Sequence, residues 1–430
     1  MQNRIIEYFI SLSKIPHCSE STHKLLEFLK LFALERDYIV EIDSVNNILI
    51  KKEKGESKLA LQAHYDMVCM GKAPNIETYV EDGWMYAKES SLGADNGMAI
   101  AMMMVLMEQG ADVEFILTSD EEIGLIGASA IELELSASYI LNLDFEDEGI
   151  VCIGCAGGAD LLGEQKFEKA EAYEYSYEVS VLDLEGGHSG VEIHKNIPNA
   201  IKVLADYLSD KSVKISSCHG GERRNSIPTN VVMRLSSQEL LQSSDLVNVK
   251  LLDESLEVYE SDEFLNLLIA FKHGVATYSE EFNLPDTSIN LAIVNFENGM
   301  ASIECTSRAM SDEGLEEISE VNLKLFEQYG FKTSIEYKYP AWKPEINSFT
   351  SIVNDSMIDE FKESRYEAIH AGLECGVLLE HYPNIKFASI GPTIVSPHST
   401  HEKVKIDSVG KIFRVVEGVI SALGDSYAGS

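Results

Sequence analysis

The chain has 430 residues, 45% hydrophobic and 24% charged, which is more than one core usually serves and points to two domains. Its 34 basic and 71 acidic residues leave a net charge of −37, a field that repels nucleic acid and anionic membranes and excludes both as partners. The acids are dispersed, so the excess reads as a solvated surface and not as a binding tail.

In chain order, Ile5, Ile6, Phe9 and Leu12 recur at helical spacing, and Leu25 to Leu34 continues in that style after Ser21-Thr22. Strand-like runs follow at Ile39 to Ile42, Asn47 to Lys51 and Leu59 to Ala63, then at Glu114 to Thr118, Tyr139 to Asp144 and Phe387 to Ile390. Helical patterns at Gly97 to Gln109 and Ala128 to Glu134 lie between them. This alternation predicts an α/β fold, a mostly parallel sheet with helices on both faces. The longest apolar stretch, Met98 to Met107, is about half of what a bilayer crossing needs and reads as a buried helix.

From about Glu168 to Trp342 the texture changes. A polar strand from Tyr173 to Asp183, a Gly-Gly turn, a helix from Pro198 to Leu208 and a hairpin-like stretch through Asn225 to Leu235 come first. Ser288 to Asn295, Ala301 to Ala309, Leu315 to Tyr329 and Lys332 to Tyr337 then read strand, strand, helix, strand. The expectation is an inserted α+β lid domain at 168–342, leaving a catalytic domain at 1–167 and 343–430, with Lys338 to Pro344 as the hinge. Seven cysteines at irregular spacings do not read as a disulfide framework, and the opening residues lack a signal peptide's plan, so a cytoplasmic protein is expected. Cys152 and Cys155 read as two buried thiols beside a turn.

Five residues that sit beside short apolar runs carry the chemistry: His64, Asp95, Glu122, Asp144 and His398. His64 and Asp66 are two apart, so on an extended backbone both point to one side, and the acid can hold one imidazole nitrogen. Asp95 lies between glycines just before the apolar helix, a position that also suits a helix cap. Asp120, Glu121 and Glu122 follow a strand directly, which is costly unless something positive neutralises them. One such acid can bind a metal while another moves a proton. Asp144 repeats the strand-end acid and His398 supplies a late imidazole, whereas His401 reads as a solvent-facing loop residue. Singly these signals are weak. In this order they supply N and O donors for two divalent ions sharing one carboxylate.

At His64-Tyr-Asp66, Leu92-Gly-Ala-Asp-Asn-Gly97, Asp120-Glu-Glu-Ile-Gly124 and Asn142-Leu-Asp144 the chain resembles the M20 clan of metallopeptidases. Gly154-Cys-Ala-Gly-Gly158, Gly186-Gly-His-Ser-Gly190, Arg224-Asn-Ser-Ile-Pro228, Ile369-His-Ala-Gly-Leu-Glu-Cys-Gly376 and Ile390-Gly-Pro-Thr-Ile394 narrow it to the aminoacyl-histidine dipeptidase group. The resemblance implies that Asp95 bridges two zinc ions, with His64 and Asp144 completing one site and Glu122 and His398 the other. It implies Asp66 orienting His64, Glu121 as general base, and a cis peptide after Asp95. His188 matches the lid histidine that polarises the scissile carbonyl in this family, sometimes from the partner subunit. His194 is a weaker match.

For substrate, the matching positions are Asn225, Arg308 as a clamp for a C-terminal carboxylate, and His370 and Glu374 at the substrate's ends, Glu374 suiting a free amino group. Manganese or cobalt can replace zinc in such a donor set. The expected activity is hydrolysis of dipeptides, those with C-terminal histidine among them, by a homodimer joined through the lid. Other M20 amidohydrolases acting on N-acyl amino acids or tripeptides, and a non-catalytic metal-stabilised binding protein, are the alternatives. Intact Glu121 argues against the binder. Two departures stand out: Ser90-Ser91 replaces the group's usual threonine pair, and the lid is short.

Overall fold

In the computed structural model, which describes residues 1–55 and 57–424, the chain forms two compact units. One comprises Met1–Gly154, Pro344–Ala368 and Leu373–Ser430; the other comprises Cys155–Lys343 and Ile369–Gly372.

The first unit is α/β. Its eight-stranded sheet runs in the order Ile39–Ile42, Ile48–Lys51, Glu114–Thr118, Leu59–His64, Tyr139–Asn142, Lys386–Ser389, Ile150–Cys155, Arg365–Ile369. The strands from Glu114–Thr118 to Lys386–Ser389 are mutually parallel, and antiparallel pairs flank them. Leu59–His64 and Glu114–Thr118 are buried at every position, so both faces of the central sheet are covered, as parallel strands require. The N-terminal helix Gln2–Leu12 buries Ile5, Tyr8, Phe9 and Leu12 and packs on Ala94–Glu108. That second helix is buried at every position from Asn96 to Met107, which is why Met98 to Met107 could be apolar all round without spanning a bilayer. Among the described residues no helix is long and apolar enough to cross a membrane.

Because the central strands are parallel, His64, Thr118 and Asn142 all end at one edge of the sheet, the edge where such folds build their sites. A four-stranded sheet of Ile394–Val395, Lys403–Lys405, Trp84–Ala87 and Thr78–Glu81 belongs to the same unit and presents residues 396–402 as the tip of a hairpin.

The second unit is an eleven-stranded antiparallel sheet with three helices, Ala200–Leu208, Asp262–Ala270 and Asp312–Gln328. Its core includes Phe264, Phe296 and Phe326, each fully enclosed. The long hairpin of Leu284–Glu297 and Met300–Ala309 turns at Asn298-Gly299, both at positive φ, the geometry two-residue hairpin turns favour.

Several local expectations change. The boundary expected near Glu168 falls at Cys155, because Gly157–Lys166 is a full strand between Met300–Ala309 and Lys332–Tyr339. The helix expected over Ala128 to Glu134 stops at Ser129. Beyond it, side chains from elsewhere take the backbone groups that a helix would have used: Glu132 N–H donates to Asp43, Tyr382 donates to the Leu133 carbonyl, and Ser136 and Ala137 N–H donate to Glu114.

The cysteine reading is also corrected, since Cys18 and Cys69 form a disulfide. The segments holding them pair side by side, with Met67 N–H donating to His17 and Ser19 N–H to Met67. Spacing along the chain cannot show such a pairing. The cysteine count therefore gives no argument for a reducing compartment. Cys152 and Cys155 are buried.

Candidate active site

The strand Leu59–His64 ends in a fully buried imidazole. His64 Nδ1 donates to the Asp66 carbonyl at 3.1 Å and lies 3.4 Å from Asp66 Oδ1, so Nε2 is turned to the other side. There it meets Asp95 Oδ1 at 3.0 Å and Asp144 Oδ1 at 3.3 Å. The other oxygen of Asp95 lies 3.0 Å from His398 Nε2, which is also 2.8 Å from Glu122 Oε2. Asp95 thus has an imidazole Nε2 on each oxygen, and each of these Nε2 atoms has one further carboxylate beside it. Glu121 lies within the same cluster, beside His64 and Glu122.

The local backbone explains this convergence. Gly93 adopts φ 70, and Asp95 and Asn96 leave helical geometry at the start of the helix across a cis Asp95–Asn96 bond. Asn96 Nδ2 donates to Asp144, tying the two acidic loops together. Asp66 does more than its neighbouring histidine suggested. Its carboxylate accepts the N–H groups of Glu121 at 3.0 Å and Glu122 at 3.3 Å and the Ser19 hydroxyl at 2.7 Å, so it fixes the Glu-Glu turn as well.

Electrostatically the cluster is an excess of buried negative charge. Burial pushes Glu121 well above the usual carboxylate range and Glu122 up to about 7. Burial also raises Asp144. Burial would lower both histidines, but the surrounding acids prevail: His64 is raised well above its ordinary value and His398 up to about 12. Asp95, between the two imidazoles, is depressed despite its burial. Cations would relieve this charge, and Glu122 Oε1 is buried without a hydrogen-bond partner among the described residues.

Divalent metal ions fit this role. Two donors held at about 2.0–2.1 Å by a tetrahedral ion lie roughly 3.3 Å apart, close to the separations of 2.8 to 3.3 Å found here. His64, Asp95 and Asp144 form one candidate set, and Asp95, Glu122 and His398 a second.

Glu374, in the same unit, is fully enclosed. Gln62 Nε2 donates to it at 2.5 Å and the Thr118 hydroxyl at 2.8 Å, while its Oε1 has no hydrogen-bond partner among the described residues. Burial raises it to about 7. The network continues through Asn142, which donates to Gln62 at 2.5 Å and accepts the Asp144 N–H at 3.1 Å.

The remaining expected residues belong to the second unit. His188 pairs with Ser226 in a short two-stranded sheet, and its Nδ1 accepts N–H groups from Gly190 at 3.1 Å and Val191 at 3.2 Å. That fixes Nε2 as the protonated nitrogen of the neutral ring. Asn225, exposed, accepts the Ser189 N–H through its carbonyl at 2.8 Å. Arg308 is 6% exposed; its Nη1 donates to the Tyr339 hydroxyl at 2.7 Å and its Nε has no hydrogen-bond partner among the described residues.

His370 is buried against the Ser288 hydroxyl at 2.7 Å, and burial with the Arg308 charge lowers it to about 3. His194 is exposed. The glycine motifs acquire a reason here: a Cβ at Gly158 or Gly372 would stand 2.5 or 2.8 Å from the Tyr339 ring. Sequence reading missed Tyr339 and Glu402, although the paired glycines signalled a close approach.

A family model, peptidase family M20/M25/M40, matches residues 60–422. The chain is 31% identical to the cytosol non-specific dipeptidase of Escherichia coli (strain K12), with 97% of each covered. Among solved structures it is similar to an aminoacylhistidine dipeptidase from Vibrio alginolyticus, at TM-score 0.79 and 28% identity over 98% of this chain and 97% of that one. A tripeptidase from Staphylococcus aureus, at TM-score 0.61 and 17% identity with 98% of each chain covered, shares the fold.

Proposed function

Since the chain belongs to peptidase family M20/M25/M40, we propose that it is a metallo-dipeptidase that hydrolyses free dipeptides, Xaa-His dipeptides among them. The observation that carries this reading is Asp95 with an imidazole 3.0 Å from each of its oxygens and a further carboxylate beside each imidazole. His64, Asp95 and Asp144 would hold one divalent ion and Asp95, Glu122 and His398 the other. Zinc is the first expectation, manganese or cobalt the alternatives. When bound, such ions acidify water and withdraw electrons from a carbonyl oxygen.

The chain's own groups do the rest. Glu121, enclosed and among acids, takes a proton from the attacking water as its oxygen joins the carbonyl carbon. It then delivers that proton to the amide nitrogen as the C–N bond breaks. Asp66 orients both His64 and the Glu121 turn. His188, with a donor Nε2–H, suits the oxygen on which charge develops. Asn225, Arg308 and His370 are proposed substrate contacts. Arg308, whose Nε–H has no hydrogen-bond partner among the described residues, suits a carboxylate by its charge, and Glu374 suits the substrate's amino group.

The names of the Escherichia coli and Vibrio relatives support the dipeptide class, and the latter the histidine preference. The cytosolic name of the former supports a cytoplasmic setting. A lid role for the second unit, Cys155–Lys343 with Ile369–Gly372, and a homodimer joined through it rest on the sequence reading and the family resemblance.

A panel of free dipeptides, with and without chelator, tests the proposal. Cleavage that includes Xaa-His substrates, is lost on chelation and returns with added zinc is expected. No turnover by metal-loaded protein, or turnover indifferent to chelation, would contradict it.

A further inference from the structure

Glu402 follows His398 by four residues and is 2% exposed, yet it has no part in the reaction described above. Its carboxylate accepts four consecutive backbone N–H groups: Leu92 at 2.7 Å and Gly93 at 3.0 Å on Oε2, Ala94 at 2.8 Å and Asp95 at 3.3 Å on Oε1. These are the otherwise unpaired donors at the start of Ala94–Glu108, whose own N-cap, Gly93, has no side chain to offer. The cap is supplied instead from the tip of the hairpin between Ile394–Val395 and Lys403–Lys405. That same tip carries His398 in a left-handed conformation at φ 57.

We propose that Glu402 is the positioning residue for the bridging carboxylate: it locks the loop of Asp95 to the hairpin of His398, so that one oxygen of Asp95 faces His64 and the other His398. This rests on the two-ion reading. One short segment thus delivers a ligand and sets the orientation of the ligand it must share an ion with. A carboxylate suits the task because two charged oxygens can accept four N–H groups. An amide offers one oxygen, and its own N–H bonds point at donors. Glu114 provides an internal comparison. It is also buried and also accepts backbone N–H groups, from Ser136 and Ala137, but at the opposite end of its strand from the cluster.

The test is Co²⁺ titration of metal-free wild type, Glu402→Gln, Glu402→Asp and Glu114→Gln, read by binding isotherms and the cobalt visible spectrum, with melting temperatures alongside. Glu402→Gln should weaken binding of at least one ion roughly 10–100-fold, as loss of a group that supports a ligand does, and alter the spectrum. Glu402→Asp should recover part of both. Glu114→Gln should lower melting temperature without either change. Equal affinities and spectra for Glu402→Gln and Glu114→Gln would overturn the assignment. Should the Gln variant fail to fold, the Asp variant and amide exchange of residues 92–95 in metal-free wild type decide: wild-type affinity in the former with rapid exchange in the latter would overturn it. Failure of the wild type to bind two Co²⁺ would instead defeat the two-ion reading itself, and this inference with it.

Discussion

At the scale of single residues, neighbouring acids are separated by what surrounds them. Asp66 is held below the ordinary range against its burial by His64 and by the hydroxyl and N–H groups it accepts, whereas burial keeps Glu121 raised. In the proposed mechanism the first is therefore suited to be a fixed anion and the second a proton carrier. Replacing Glu121 by Gln should leave metal content unchanged while lowering kcat about 10²–10⁴-fold; metal analysis with steady-state kinetics checks this, and undiminished turnover removes Glu121 from its role. Packing gives a second prediction. Gly158→Ala would put a methyl group 2.5 Å from Tyr339, and overpacking of this kind costs about 1–3 kcal/mol. Chemical denaturation should register that loss, and KM should rise as Tyr339 shifts Arg308.

At the scale of elements, the strand ends were legible and the connections between them less so. His64, Glu121, Glu122 and Asp144 stood out because each follows a run of apolar residues that can only be a covered strand, and the parallel pairing of those strands brings their ends to one edge. The segment from Ala130 to Glu134 misled because its apolar spacing is helical, whereas its backbone partners, Asp43 and Tyr382, lie far away in sequence. Glu402 left only a faint mark, an acid four residues after a candidate ligand. Cys18 and Cys69 left none.

One element also carries a pH dependence. In the second unit, His273 Nδ1 accepts the Leu291 N–H at 3.3 Å, and burial holds this histidine down from 6.5 to about 4. The fold prefers the neutral ring, so its contribution is full above pH 6.5 and is lost as pH falls through about 4. Relative to non-titrating His273→Gln, the wild type should lose about 1–3 kcal/mol of unfolding free energy between pH 7 and 4. A constant difference across that range would refute the assignment.

At the scale of the molecule, a net charge of −37 and ions held by the carboxylate cluster, as proposed, would make cations part of the folded state's stability, because binding to the native form alone shifts the folding equilibrium. Calorimetry should show a higher melting temperature with zinc than with chelator, and His398→Ala should narrow the gap. Equal temperatures would mean that the cluster holds no ion.

The most direct measurement is anomalous diffraction at the zinc edge from metal-loaded crystals. Two peaks per chain, one on each side of the Asp95 carboxylate, with His64 and Asp144 at the first and Glu122 and His398 at the second, are the predicted result. A single peak, or peaks that Asp95 does not join, would contradict the account.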